Sequence, residues 1–454
     1  MLAEPTILDD LLASLPEGAV ATDPDVMAGY CQDWSHFPSV GSPLAVVRAT
    51  DEADVQAVLR WATAHEVPVV PRGAGSGLSG GATAIDGCVI LSLERMRRVA
   101  VDPAARVAVA QAGALNVEVK KAAAAHGLWY PPDPSSFEMC SIGGNAATNA
   151  GGMCCVKYGV TTDYVLGMHV VLADGTLLRL GGPRLKDTAG LSLTKLFVGS
   201  EGTLGVVTEV TLRLLPQPRG ACTLVANFAS LDDAVAAVVA IVSAVRPSTL
   251  ELMDSASINA VEDDLSMGLD RGAAALLVAR SDVGQEEITA VEAACRANRA
   301  SEVYWTDDPD EGEAFLAARR AALTSLERKG DLLIEDVGVP VPLLPELVRA
   351  VAAAGERHGV EVTLVAHAGD GNTHPTIVYD ASDPAEVARA QAAFADIMRS
   401  AIALGGTITG EHGIGRFKEP FLAEYLGPEV MEVSERIKRA LDPKGILNPG
   451  VMFR

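Results

Sequence analysis

The sequence predicts an α+β protein built from more than one domain. Three observations carry this expectation. From Leu44 onward, short apolar runs rich in β-branched residues alternate with amphipathic helical stretches. Glycine-rich loops interrupt those runs, which places tight turns between strands. After Pro216-Gln217-Pro218 a second series of helices and strands begins afresh. At 454 residues the chain is also too long for one core.

Element by element, a helix is expected from Ile7 to Leu15, followed by a Pro- and Asp-rich loop to about Ser42. Leu44 to Val47 reads as a strand. Asp51 to Asp54 opens an amphipathic helix ending near His65, and Val67 to Val70 forms the next strand. Further strands are expected at Cys88–Leu93 and Val107–Ala110, with a helix from Leu115 to His126. The run Cys140 to Gly152 has few large side chains, which lets backbone approach something closely. Strands resume over Gly167–Leu172 and Thr176–Leu180 around an Ala173-Asp174-Gly175 turn, and a strand pair is expected over Leu204–Leu215. Beyond the prolines, helices are expected near Leu231–Val245, Gln285–Asn298 and Glu311–Lys329. Strands are expected at Ala274–Ala279, Leu332–Val339 and Val360–Ala366. Helices near Pro384–Leu404 and Gly427–Leu441 close the chain. The expected division is thus 1–43, 44–217, 218–400 and 401–454.

Bulk chemistry narrows the function classes. Lys plus Arg number 36 against 59 Asp plus Glu, a formal charge of -23 that repels nucleic acid and anionic lipid. A small anionic substrate entering a local basic pocket is still compatible. The seven cysteines, at 31, 88, 140, 154, 155, 222 and 295, form no C-x-x-C pair, and Cys154-Cys155 is vicinal. This pattern fits a reducing cytoplasm. Met1 to Pro5 lacks the basic start and apolar run of a signal peptide, and no stretch reaches the length of a membrane span. Cytoplasmic residence, with room for peripheral association with the inner face of the membrane, is the expectation.

Two regions hold the chemistry. The loop Pro71 to Gly81 contains five glycines in nine residues and formally satisfies G-x-G-x-x-G at Gly75–Gly80. That fingerprint requires a helix directly afterwards, whereas Ala82–Gly87 leads into a strand. An anion nest of backbone N–H groups is the better reading. Ser141–Gly152 and Gly199–Gly205 supply two further small-residue walls, and together the three point to a large diphosphate cofactor. Near the C-terminus stand His367-Ala-Gly-Asp-Gly-Asn-Thr-His374 and Gly410-Glu411-His412-Gly413. Three of the eight histidines lie in these two segments. Two imidazoles and a carboxylate make a three-ligand metal site with an open position, and His412 beside them makes a base. Hydrogen-bonded loop histidines are the alternative that spacing alone leaves open.

Together these segments resemble the FAD-linked oxidases and dehydrogenases related to vanillyl-alcohol oxidase, and within them the branch acting on D-2-hydroxy acids (D-lactate, glycolate, D-2-hydroxyglutarate). The matching stretches are PRGAGSGLSGG, YPPDPSS, CSIGGNAATNAGG, KYGVTTDYVLG, FVGSEGTLGVVTEVTL, HAGDGNTHP, GGTITGEHGIG and LDPKGILNPG, in the family's order from about residue 44 to the end. The resemblance implies a two-subdomain PCMH/VAO-type FAD-binding domain, an antiparallel-sheet substrate domain, and a C-terminal helical segment returning to the flavin.

It also implies roles. Pro71, Arg72, Gly73, Ala74, Gly75, Ser76, Gly77 and Ser79 would hold the pyrophosphate and ribityl chain of FAD. Pro132, Asp133, Ser141, Gly144, Ala147, Gly151 and Gly152 would line the isoalloxazine and diphosphate. Glu201, Gly202, Gly205 and Val207 would lie near the adenosine, and Asn448 would approach from the C-terminal tail. Some relatives bind FAD covalently through a loop histidine; Ser76 stands there, so non-covalent FAD is expected. His367, His374 and Glu411 would bind a divalent metal, zinc by preference, and His412 would take the substrate hydroxyl proton as hydride passes to flavin N5. Arg319, with Arg320 as the alternative, would hold the substrate carboxylate.

Ile334 stands where the hydroxyglutarate branch carries Lys, and Val341 where glycolate-type relatives often carry Arg. Fewer cationic groups argue against a dicarboxylate such as D-2-hydroxyglutarate and for a monocarboxylate such as D-lactate, with D-2-hydroxyglutarate and glycolate as the alternatives. The electron acceptor is expected to be separate: a quinone, a cytochrome or an electron-transfer flavoprotein. A homodimer is compatible with the sequence. Rival readings are an NAD-dependent dehydrogenase, a metal-free flavin oxidase, and an electron-relay subunit of a larger complex.

Overall fold

The structure, a computed structural model, describes residues 7–35, 37, 39–218 and 220–453. Met1 to Pro5, read above for a leader, lie outside the described residues. The chain divides into two units. One comprises residues up to 151, 160–217 and 411 to the end; the other comprises 152–159 and 218–410.

Among the described residues the first unit carries two larger sheets and a two-stranded one. In the smaller of the two larger sheets, Ala45–Arg48 and Val69–Arg72 flank Val89–Ser92 in parallel, and Val20–Ala21 pairs antiparallel at the edge. Parallel neighbours need a crossover. Helix Glu52–His65 supplies one, started by the Asp51 carboxylate accepting from the Asp54 N–H. Its apolar face packs Val55, Val58 and Leu59 against Val47, Val69, Val89 and Leu91. Leu11 of the N-terminal helix Ile7–Ser14 joins this core, so the leading segment packs as part of the unit. The second sheet is antiparallel, in the order Val99–Asp102, Val107–Gln111, Val206–Arg213, Val165–Val171, Leu177–Gly181.

The second unit is built on one antiparallel sheet. Its order is Ala300–Thr306, Cys222–Phe228, Ala275–Ser281, Thr249–Asp254, Glu361–His367, Asn372–Tyr379, Asp331–Ile334, with Val337–Gly338 also pairing to Asn372–Tyr379. Helix Pro309–Leu326 packs beside Ser255–Leu265. It buries Leu316, Ala318 and Ala322 against Met253 and Val365 of the sheet.

Several expectations need correction. The pair expected over Leu204–Leu215 is one long strand, Val206–Arg213, plus a two-residue strand Leu215–Pro216 that pairs with Leu128–Trp129. The strand expected over Leu332–Val339 is broken into Asp331–Ile334 and Val337–Gly338, and Glu335-Asp336 occupy the break. The divisions also fall elsewhere. Residues 152–159 belong with the second unit, where Lys157 and Tyr158 bond to Asp282, and 401–410 stay there through Thr407, whose N–H donates to Gly338 O. No helix among the described residues is long and apolar enough to cross a membrane.

Candidate functional site

Antiparallel register brings the first two candidate ligands together. His367 ends one strand of a hairpin opposite Asn372, and Val365 pairs with His374. Opposed residues share a sheet face and alternate positions along a strand share it too, so His367 and His374 are diagonal neighbours on one face. Their rings stand 5.0 Å apart at 87°, and a nitrogen of each lies within 4.8 Å of the other. The turn between them needs glycine at Gly371, whose φ is +85° and where a Cβ would stand 2.1 Å from Val339 O.

Each ring is turned by what its Nδ1 meets. His367 Nδ1 lies 2.9 Å from both carboxylate oxygens of Glu251. His374 Nδ1 donates to the Glu335 carbonyl at 3.3 Å. An Nδ1–H directed at an oxygen leaves the lone pair on Nε2, the state a neutral imidazole needs as a metal ligand. Both histidines are 3% exposed.

Sequence reasoning missed Glu251. It lies in the strand Thr249–Asp254, whose register pairs Leu252 with Ala366 and Met253 with Val365; one step further, Glu251 faces His367. It is fully buried, and Arg319 Nε stands 3.0 Å from its Oε2. Arg319, on helix Pro309–Leu326, is 2% exposed, and its Nε and Nη2 are both buried without a hydrogen-bond partner among the described residues, so its contact with Glu251 is an ion pair. Arg320 instead pairs with Glu313 nearer the surface. Of the two arginines, the structure gives Arg319 the buried, under-bonded guanidinium.

Asp336 was also missed. Its oxygens accept from Asn372 Nδ2 at 2.9 Å and Thr409 Oγ1 at 2.5 Å, and it stands 3.9 Å from His374 Nδ1. Gly410 packs so tightly on Asn372 that a Cβ there would come within 2.4 Å of that side chain. Ile334 pairs with Thr376, on the face that carries His374, and packs with Leu332.

In the first unit the small-residue walls converge. Helix Ile142–Thr148 starts at Ser141, whose Oγ accepts from the Gly144 N–H and from the Ala74 N–H, both at 3.3 Å. A Cβ on Gly73 would sit 2.2 Å from that Oγ, and one on Gly202 would meet Pro71. Glu201 N–H donates to Ala147 O, and Pro132 O accepts from Asn116 Nδ2. Ser76 and Gly77 are half-buried in the loop, Gly151 is buried, and Asp133 is half-buried. Gly205 and Val207 serve packing in the structure. A Cβ on Gly205 would enter Val170, and Val207 pairs with Val170. Gly152 opens the short segment assigned to the second unit.

Arg72 ends the strand Val69–Arg72 with its guanidinium against Gly75, where a Cβ would stand 2.1 Å from Nη2. Its Nη1 is buried with no hydrogen-bond partner among the described residues, and burial holds its pKa below the usual arginine value. A buried guanidinium with one unbonded nitrogen, set beside a glycine loop, is a donor set that suits a diphosphate. The residues present therefore fit FAD.

Glu411 follows Gly410 in the chain and opens a turn that the first unit holds firmly. Ser79 Oγ donates to the carbonyls of His412 (3.2 Å) and Gly413 (2.8 Å). The Glu201 carboxylate accepts from Ile414 N–H at 2.7 Å and Gly415 N–H at 2.8 Å, and burial pushes its pKa up to about 7. Arg416 donates to Gly80 O, Thr83 O and Asn448 Oδ1, and Asn448 Nδ2 donates to Gly81 O and Glu201 O. Hence the loop 79–83, the turn 411–416 and the C-terminal Asn448 form one bonded assembly. Of the candidate residues, Glu411 and His412 belong to the first unit, and His367, His374 and Arg319 to the second.

A family model described as "FAD linked oxidases, C-terminal domain" matches residues 217–452, and one described as "FAD binding domain" matches 43–181. The chain is 40% identical over 418 residues to glycolate oxidase subunit GlcD of Bacillus subtilis, covering 90% of this chain and 89% of that protein. It is 36% identical over 421 residues to D-lactate dehydrogenase of Archaeoglobus fulgidus, covering 92% and 93% respectively. Among solved structures, p-cresol methylhydroxylase with substrate bound superimposes with a TM-score of 0.84 over 98% of this chain and 96% of that one, at 18% identity. That likeness shows a PCMH/VAO-type fold.

Proposed function

This chain belongs to the FAD-linked oxidases, and from that premise we propose that it oxidises a D-2-hydroxy acid to the 2-oxo acid, with D-lactate favoured. The observation that carries the proposal is the buried His367–His374 pair, each ring with its Nδ1 against an oxygen, a contact that in a neutral imidazole favours the lone pair on Nε2. Joined by the carboxylate of Glu411, these imidazoles would offer a donor set that suits zinc. A metal bound there supplies Lewis-acid polarisation of the substrate hydroxyl. FAD, held non-covalently by the loop Pro71–Ser79, supplies the acceptor for the hydride.

The remaining work falls to this chain's side chains. His412 takes the hydroxyl proton as the general base. Its carbonyl is held by Ser79, which limits how far the turn can drift. Arg319 orients the substrate carboxylate through a guanidinium that is buried and under-bonded. Ile334 and Val341 supply no cation for a second carboxylate, which favours a monocarboxylate over D-2-hydroxyglutarate. The relatives' names, a glycolate oxidase subunit and a D-lactate dehydrogenase, support this substrate class. The word "subunit" in the first also supports an electron acceptor on a separate chain: a quinone, a cytochrome or an electron-transfer flavoprotein.

The test is anaerobic mixing of the yellow protein with D- and L-lactate, glycolate and D-2-hydroxyglutarate, followed at the flavin absorbance band. D-lactate is expected to bleach the flavin fastest and L-lactate not at all. Bleaching by NADH, or by none of the hydroxy acids, contradicts the proposal.

A further inference from the structure

Glu251 has no place in the proposed chemistry, yet it is fully buried and touches two residues that do. Its carboxylate meets His367 Nδ1 with both oxygens and Arg319 Nε with Oε2. Such a residue costs folding free energy unless its partners compensate it, and here the compensation is one guanidinium and one ring N–H. Three elements meet at this point. Thr249–Asp254 brings the carboxylate, Glu361–His367 the imidazole, and Pro309–Leu326 the guanidinium. All three lie within the second unit.

We propose that Glu251 is the positioning residue of the hydroxy-acid site: one buried carboxylate, held between His367 and Arg319, sets both the tautomer of the metal-ligating imidazole and the orientation of the carboxylate-binding guanidinium. The inference rests on the functional reading above and deepens it.

The physics is direct. Imidazole in water divides between two tautomers, and a carboxylate at Nδ1 pins the proton there, leaving Nε2 as the donor atom. The same carboxylate stands 3.0 Å from Arg319 Nε as an ion pair, which keeps the guanidinium beside His367 while Nε and Nη2 both stay buried without a hydrogen-bond partner among the described residues. Metal affinity and substrate affinity are thereby tied to a single side chain. Arg320, paired with Glu313, is outside this arrangement.

The experiment uses the FAD-loaded, chelator-treated full chain with 15N-labelled histidine, at about pH 8, above the ordinary histidine range. Long-range nitrogen–proton spectra give the tautomer of each imidazole, and the His367 signal is assigned by its absence in H367Q. Wild type is expected to show His367 as the Nδ1–H form, and Glu251→Gln is expected to lose that preference. Zinc titration of the same samples is expected to weaken about ten- to a hundredfold in Glu251→Gln, and KM for D-lactate is expected to rise along with a fall in kcat.

Because a lone buried Arg319 endangers folding, the double variant Glu251→Gln/Arg319→Met, which removes both charges, is measured beside it. It should unfold near the wild-type temperature and still bind zinc weakly. An Nε2–H His367 in wild type, or a tautomer and zinc affinity unchanged in the folded double variant, overturns the proposal. Wild-type protein that shows the Glu251-dependent tautomer but takes up no zinc supports the positioning role and overturns the metal reading instead.

Discussion

Replacing Glu201 by Gln tests how the turn bearing Glu411 and His412 is held. Glu201 is buried, and burial lifts its pKa from 4.5 to about 7 against two backbone N–H bonds that act to lower it. A carboxyl whose folded-state pKa lies above its unfolded value binds more protons when folded. Its stability contribution is therefore full below about pH 4.5 and is lost as pH rises towards 7. At 1.36 kcal/mol per pH unit the loss amounts to about 3 kcal/mol. Gln cannot ionise, so it removes this dependence. It also offers only one acceptor where Ile414 and Gly415 present two N–H donors, at a cost of about 1–3 kcal/mol. The variant should therefore be less stable than wild type at pH 5 and should regain about 3 kcal/mol relative to it by pH 8. At roughly 1 °C per kcal/mol for a chain of 454 residues, this moves the difference in Tm by roughly 3 °C, read as flavin fluorescence released on heating across pH 5–8. Parallel pH profiles for the two proteins would refute the reasoning.

Further outcomes follow from the same geometry. Ser141→Ala removes the acceptor for the Gly144 and Ala74 N–H groups; a lost N-cap costs about 1 kcal/mol, and FAD titration of apoprotein should show several-fold weaker binding. Gly413→Ala forces a side chain onto a residue at φ +85° with Glu201 3.0 Å away, so it should lower the flavin-release temperature and slow flavin reduction. Arg319→Lys should raise KM for D-lactate more than tenfold, whereas Arg320→Ala should leave steady-state kinetics near wild type. Acid precipitation should leave FAD in the supernatant, because Ser76 cannot form the bond that a loop histidine makes.

What the sequence revealed follows from period and composition. The glycine loop after Val70, the absence of a helix over Ala82–Gly87, and most long helices are local features, and the structure has them. Strands Cys222–Phe228, Thr249–Asp254 and Asn372–Tyr379 escaped notice because they carry Thr, Asn, Glu or His among their apolar residues; the first two are also paired by partners distant in the chain. Glu251 escaped for the same reason. Its one local signal is an acidic residue within the apolar run Leu250-Glu251-Leu252-Met253. The side chain's importance appears only when the sheet register sets it opposite His367. The gap at Glu335-Asp336 was likewise hidden inside an apparently continuous strand. His367 and His374 were legible because a short glycine-rich turn joins them and fixes their separation locally.

The proposed joint action of a flavin and a histidine-held metal on one D-2-hydroxy acid makes flavin reduction depend on the metal. It is tested most directly by anaerobic stopped-flow reduction of the flavin by D-lactate, in chelator-stripped enzyme and in the same enzyme reloaded with zinc. The expected result is flavin reduction at least a hundredfold slower after stripping, restored by zinc in wild type and not in His367→Ala. Equal rates in stripped and reloaded enzyme would contradict the account and leave a metal-free flavin oxidation in its place.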